Sequence, residues 1–144
     1  MSIETFRHQH RVTYADCTVG NHVYYARYLD LLEAARAAFF RSVDLSFLQL
    51  QEAGFIFPVI EVRLRYRTPA RYDDVLEIEV WPTVVERVRL NFSYVVRLPT
   101  GKQTLEGETF HVCTGLNEKP LRLPEQLTRA LRPYLPEIAG APAR

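Results

Sequence analysis

Five polar side chains crowd together between positions 14 and 22: Tyr14, Asp16, Thr18, Asn21 and His22. A carboxylate or an imidazole so placed can activate water as a general base. A helical pattern begins directly behind them. From Arg27 onward, Arg27, Asp30, Glu33, Arg36 and Arg41 fall on one half of a 100°-per-residue wheel. Tyr28, Leu31, Leu32, Ala35, Ala38 and Phe39 fill the other half, and Leu29 and Phe40 intrude on the polar side. The spacing predicts a helix over roughly Tyr24–Arg41, with Asn21 as N-cap and His22 to Tyr25 as its first turn. The free N–H groups of such a turn carry partial positive charge and can receive an anion or a developing oxyanion. The same residues also suit an ordinary capped, buried helix.

Other elements must hold this stretch in place. Phe6 to Ala15 reads as a first strand, with Val12 and Tyr14 alternating against Arg11 and Thr13. Asp44 to Ala53 reads as a short helix, with Ser46 and Gln49 spaced as a capping box and Gly54 in the position that follows a helix end. The period then falls from 3.6 to 2. Val59–Arg67 alternates Ile60, Val62, Leu64 and Tyr66 against Glu61, Arg63, Arg65 and Arg67. Thr68–Asp74 is a turn, and Leu76, Ile78 and Val80 carry the next strand up to a break near Pro82–Glu86. Val88–Val96 and Thr104–Thr114 follow, joined by the tight Pro99-Thr100-Gly101-Lys102 connection. Pro124–Leu135 suits a short helix, and residues 136–144 suit a frayed tail. Half-buried strands with short connections describe an antiparallel meander. With one apolar helix they give an α+β domain of about five strands wrapped around one long central helix, and the whole of 1–144 forms a single domain.

Composition removes several function classes. Eighteen basic residues are balanced by 17 acidic ones, for a formal charge of +1, which argues against nucleic acid as a partner. Cys17 and Cys113 lie far apart without a neighbouring Cys or His cluster, so no metal site and no disulfide framework is expected. No apolar run reaches membrane-spanning length, and a cytoplasmic location is the expectation.

The order strand, polar knot, helix, short helix and four strands resembles the hotdog fold. Within that fold it resembles the 4-hydroxybenzoyl-CoA thioesterase family, in particular its YbgC-like branch. The resemblance runs from about Arg11 to Leu135. It is carried by Tyr14-Ala15-Asp16-Cys17-Thr18-Val19-Gly20-Asn21-His22-Val23-Tyr24-Tyr25 with Tyr28-Leu29, and by Glu33-Ala34-Ala35-Arg36 on the helix. Pro69–Asp74, Glu106-Gly107-Glu108-Thr109 and Leu123-Pro124-Glu125 also fit. The resemblance implies hydrolysis of an acyl-CoA or related acyl thioester, without cofactor, by a homodimer or homotetramer with active sites at the subunit boundary. It also implies that the family's working carboxylate would stand at position 18, where this chain has Thr18, and that the neighbouring glycine is replaced by Asn21. A catalytically weak protein that binds acyl thioesters is therefore the alternative.

Thioester hydrolysis needs donors for the carbonyl oxygen, a base or nucleophile, and a slot for the acyl chain. Backbone N–H groups near Tyr24 and Tyr25 suit the first need. Asp16, Thr18, His22 and Tyr25 are the candidate catalytic residues, with Glu33 and Glu61 behind them. Asn21, Val23, Tyr24 and Tyr28 are the candidates for holding substrate, and Phe55 and Phe57 can line the slot. Each has a plainer reading: Asp16 as a turn residue, His22 as packing, Glu33 with Arg36 as an i,i+3 ion pair, and His111 and Cys113 as strand-core fillers. Arg63, Arg65, Arg67, Arg87 and Arg89 can meet coenzyme A phosphates, or pair across strands with Glu61, Glu77, Glu79 and Glu86.

Overall fold

The computed structural model of the chain describes residues 4–136. Seven strands and three α-helices follow in the order β1 (Phe6–Arg11), β2 (Cys17–Thr18), β3 (His22–Val23), α1 (Arg27–Ser42), α2 (Phe47–Glu52), β4 (Val59–Tyr66), β5 (Val75–Glu86), β6 (Arg89–Arg97), β7 (Gln103–Val112) and α3 (Glu125–Leu131). Five of the strands form one sheet in the order β1-β5-β6-β7-β4. Every pairing in it is antiparallel. The fold is thus α+β with a five-stranded antiparallel sheet, as the change of period predicts. β2 and β3 form a separate two-stranded hairpin.

Alternation along the central strands decides which face is buried. Leu76, Ile78 and Val80 of β5 and Leu90, Phe92, Tyr94 and Val96 of β6 are all buried. Against them α1 sets Tyr28, Leu31, Leu32, Ala35 and Phe39. Ala35 has no exposed surface, and its small side chain lets the helix approach closely. Phe39 stacks on Phe6 of β1 at 5.4 Å and meets Phe92 edge-on at 6.4 Å. Phe40 is buried too, although the helical wheel sets it on the polar side. The reason is α2, whose Phe47 ring lies 4.7 Å from that of Phe40 and roofs the end of α1.

The ends of several elements differ from expectation. β1 stops at Arg11, and Tyr14–Asp16 forms a 3-10 turn that leaves Tyr14 86% exposed rather than facing the core with Val12. α1 begins at Arg27 and ends at Ser42, so its 16 residues start three later than the pattern suggests. α2 starts at Phe47 because Asp44 takes a positive φ of 60° and breaks the chain path there. The expected cap holds: the Ser46 hydroxyl accepts from the Gln49 N–H at 3.1 Å, and the Gln49 side-chain Oε1 accepts from the Ser46 N–H at 2.8 Å. β5 runs unbroken through Pro82, because a bulge between Pro82 and Val84 absorbs the residue that lacks a donor.

β4 departs most from its pattern. Its apolar residues alternate, yet Val59, Ile60, Val62 and Tyr66 are all exposed. It is an edge strand paired only with β7, and nothing among the described residues pairs with its second edge. At the far end of the sequence Leu127 and Leu131 of α3 are buried, and Tyr134 packs on Phe39 at 4.8 Å. The tail beyond Pro136 lies outside the described residues. No described helix is long and apolar enough to cross a membrane.

Candidate active site

The polar knot is a folded hairpin rather than a helix start. Cys17 pairs with Val23 and Thr18 with His22 across a turn at Val19-Gly20-Asn21. The Asn21 N–H donates to the Thr18 carbonyl at 3.2 Å. Gly20 and Asn21 both take positive φ, 93° and 58°, which glycine adopts freely and asparagine more readily than most residues. Asn21 therefore does not cap α1. The cap position belongs to Ala26, which offers no side-chain acceptor, and His22–Tyr25 is not a helical turn. Asn21 instead docks the hairpin on the segment between β4 and β5. Its Oδ1 accepts from the Tyr72 N–H at 3.4 Å, and Arg71 reaches the Gly20 and Asn21 carbonyls at 3.3 and 3.4 Å.

Asp16 organises this region from beneath. Its side chain has no exposed surface. Oδ2 accepts from His10 Nε2 at 2.7 Å and from the Thr13 N–H at 2.8 Å, and Oδ1 accepts from Arg27 Nε at 2.7 Å. Burial alone would raise its pKa, but the bonds from Thr13, His10 and Arg27 outweigh burial and hold it well below the usual carboxylate range. One residue thus ties together β1, the 3-10 turn and the first residue of α1.

The backbone of Asp16 does further positioning. Its carbonyl accepts the Tyr24 N–H at 2.9 Å, so that amide is not free to meet a substrate oxygen. Arg27 N–H donates back to the Tyr24 carbonyl at 2.9 Å. Between these two clamps the amides of Tyr25 and Ala26 have no partner among the described residues, and both residues are exposed. Tyr66 Oη donates to the Tyr25 carbonyl at 2.8 Å and fixes the same peptide from the β4 side. A pair of adjacent, unpaired N–H groups held this way can receive an oxyanion.

The other expected site residues divide between surface and interior. Thr18 is exposed and faces half-buried His22 across the hairpin. The rings of Tyr24 and Tyr25 lie 4.8 Å apart on the surface. Val23 and Tyr28 are buried, and Tyr28 meets Tyr66 edge-on at 5.7 Å. They hold the loop rather than present a surface. Glu61 is bonded to Arg63 at 2.6 Å in the exposed part of β4.

A second polar group, of which sequence reasoning read His111 as filler and Arg36 as a partner of Glu33, runs through the core beside a cavity of about 200 Å³. Arg36 Nη1 donates to Tyr94 Oη at 2.9 Å, Tyr94 Oη lies 2.7 Å from Thr109 Oγ1, and Thr109 Oγ1 lies 2.9 Å from His111 Nε2. His111 Nδ1 lies 3.0 Å from the Phe57 carbonyl. That carbonyl can only accept, so Nδ1 carries the proton and Nε2 accepts from Thr109. Thr109 then accepts from Tyr94, and Tyr94 from Arg36. Burial, with Arg36 nearby, lowers the His111 pKa to about 4, so the ring is neutral. Arg36 does not pair with Glu33: Arg36 turns inward to Tyr94, while Glu33 is exposed at the cavity lining. Thr109 and His111, two apart and on one face of β7, were the legible signal for this group.

The model of the thioesterase-like superfamily matches residues 12–131, a span that contains both polar groups. The chain belongs to that superfamily. Over 130 residues it is 34% identical to the acyl-CoA thioester hydrolase YbgC of Escherichia coli, which covers 88% of this chain and 96% of that protein. The solved structure of TT1821 from Thermus thermophilus superposes with a TM-score of 0.84 at 32% identity, over 90% of this chain and 98% of that one. A 1,4-dihydroxy-2-naphthoyl-CoA thioesterase from Synechocystis shares the fold, with a TM-score of 0.83 at 23% identity over 89% and 96% of the two chains. The hotdog thioesterase resemblance drawn from the polar knot and the order of elements is therefore correct.

Membership of this superfamily sharpens the question posed by Thr18, since Asp16, the nearby acid, is sealed by its own donors. The sheet arginines answer only in part. Arg67 bonds Glu106 at 2.6 Å and Arg63 bonds Glu61, so cross-strand and same-strand pairing accounts for these two. Arg65, Arg87 and Arg89 make no ion pair among the described residues.

Proposed function

We propose that this protein is a cytoplasmic acyl-CoA thioesterase, and that the unpaired amides of Tyr25 and Ala26 receive the thioester carbonyl oxygen. Those amides are the observation that carries the reading. They stand just ahead of α1, whose dipole favours the same negative charge. Water attacks the carbonyl carbon, the C–S bond breaks, and the coenzyme A thiolate takes up a proton as the free acid forms. Thr18, His22 and Tyr25 line the surface where this water and the thioester meet. Asp16 acts as a positioning residue that keeps the two amides pointing away from the core.

Two bases remain once Asp16, enclosed by its donors, and Glu61, bonded to Arg63, are set aside: the His22 imidazole and the Glu33 carboxylate. Glu33 lies seven residues beyond Ala26, or roughly 10 Å along the helix axis. Within one chain that is too far to share a water with the Tyr25 and Ala26 amides. A second copy added along the open edge of β4 would bring another chain's α1 toward the loop, and its exposed apolar residues suit such an edge. The working unit is then a homodimer at least, with sites at the subunit boundary. Thiol release from a panel of aliphatic and aromatic acyl-CoA esters tests the reading, with His22→Gln and Glu33→Gln compared to identify the base. Turnover above the uncatalysed rate is expected for at least one ester class. No release from any ester would overturn it.

A further inference from the structure

Arg36 is out of balance with its surroundings. Its residue is 9% exposed, and its bond to Tyr94 is its one hydrogen bond among the described residues. No carboxylate of those residues lies within ion-pair distance of it. The relay behind it turns the oxygen ends of its dipoles toward the guanidinium but carries no formal negative charge, since Tyr94, Thr109 and His111 are all neutral. An enclosed cation without an anion is costly, and it is normally paired.

What adjoins Arg36 is a cavity walled by Phe40, Phe47, Phe55, Phe57 and Phe92, with Glu33 exposed among its lining residues. A cavity of roughly 150 Å³ lined by apolar side chains holds a benzene ring. The present one, at about 200 Å³, takes a six-carbon chain or ring and a small terminal group. A guanidinium holds a carboxylate through two parallel N–H···O bonds, and the Arg36 fork has used only Nη1 on Tyr94. A neutral hydroxyl would leave its charge unmatched.

We propose that this cavity binds the acyl group of the substrate and that Arg36 selects acyl groups ending in a carboxylate, the monothioesters of short dicarboxylic acids. This rests on the thioesterase reading. The aromatic walls take the methylene chain, and Arg36 takes the far carboxylate.

Two matched pairs test it. Adipate and the neutral hexanamide, which undergo no chemistry, are titrated by calorimetry into the wild type, Arg36→Gln and Arg36→Lys. Adipate should bind the wild type at least tenfold more tightly than hexanamide. That ratio should fall below threefold in Arg36→Gln and be partly kept in Arg36→Lys, which retains the charge if the glutamine variant does not fold. Adipoyl-CoA and hexanoyl-CoA are then compared by kcat/KM, with the same tenfold preference expected and the same collapse in Arg36→Gln. Equal binding of adipate and hexanamide by the wild type, or a preference untouched by either Arg36 variant, overturns the proposal. If both esters are cleaved alike, this selectivity fails while the thioesterase reading stands. If adipate is preferred and no ester is cleaved, the thioesterase reading fails and the anion site stands.

Discussion

Asp16 and Arg36 are both enclosed charges held by hydrogen bonds, and they differ in what surrounds them. Asp16 is saturated: a backbone amide, an imidazole and a guanidinium fill both of its oxygens. Arg36 has one neutral hydroxyl as partner and a cavity beside it. The first charge is satisfied by the fold alone. The second is not, so the fold leaves room there for something else. An acid next to a candidate site is thus a poor guide to chemistry until its partners are known.

The largest effect is expected where the saturated charge is broken. Asp16→Asn keeps one acceptor but turns an amide N–H₂ toward groups that donate. Removing one side of a buried charge cluster costs about 3 kcal/mol, at the lower end of the usual range because Arg27 and His10 are partly solvated. Urea unfolding should show that loss. Turnover should drop on the order of a hundredfold as the Tyr25 and Ala26 amides lose their alignment. Stability lost with turnover kept would separate Asp16 from those amides and end the positioning role assigned to it.

The two regions should also separate on acidification. His111 has a folded pKa lowered to about 4, against an ordinary value near 6.5. The unfolded chain therefore gains a proton first as pH falls, and stability drains between about pH 6.5 and 4, by at most on the order of 3 kcal/mol. Asp16 has a lowered pKa as well, so its contribution is complete above the unfolded value near 4 and is lost below it. Unfolding followed across pH should show two windows, and His111→Gln should flatten only the upper one. A smaller effect is expected from Thr109→Val, which keeps the side-chain shape but strands Tyr94 Oη and His111 Nε2. The cost should be about 2 kcal/mol in urea unfolding, with little change at the loop. A value near zero would mean that the relay is not what holds Arg36 inward.

Much of this architecture was legible in the chain because it is local. The alternation of Leu76, Ile78 and Val80 and of Leu90, Phe92, Tyr94 and Val96 gave the buried face of β5 and β6 directly. The Ser46–Gln49 box placed α2 to within a few residues. What escaped was set by contacts between distant segments. Asn21 reads as a cap because a helical pattern follows it, but the hairpin it belongs to has strands of two residues, too short to show a period. The partners that seal Asp16 come from either side of it, His10 and Arg27, and no local pattern records them. Arg36 lies on the polar half of the wheel and is buried by Tyr94 and the roof of α2. β4 alternates like a half-buried strand, yet alternation reports a strand's faces and not whether either is covered.

The smallest effect is expected at Thr18, the position that the family resemblance makes most suspect. Thr18 is exposed, pairs with His22 through the short hairpin, and has no side-chain hydrogen bond among the described residues. Thr18→Ala should therefore change stability by less than about 0.5 kcal/mol. Its effect on turnover should be below tenfold, since a hydroxyl can orient water but not hold its proton at neutral pH. That contrast with Asp16→Asn follows from burial and bonding alone. Thr18→Asp sharpens it further, because it places an unsatisfied carboxylate on the exposed strand facing His22. If the aspartate variant hydrolyses acyl-CoA esters many times faster than the wild type, the loop is a scaffold lacking its base. If it is no faster, the base already lies elsewhere, and His22 and Glu33 are the residues left to supply it.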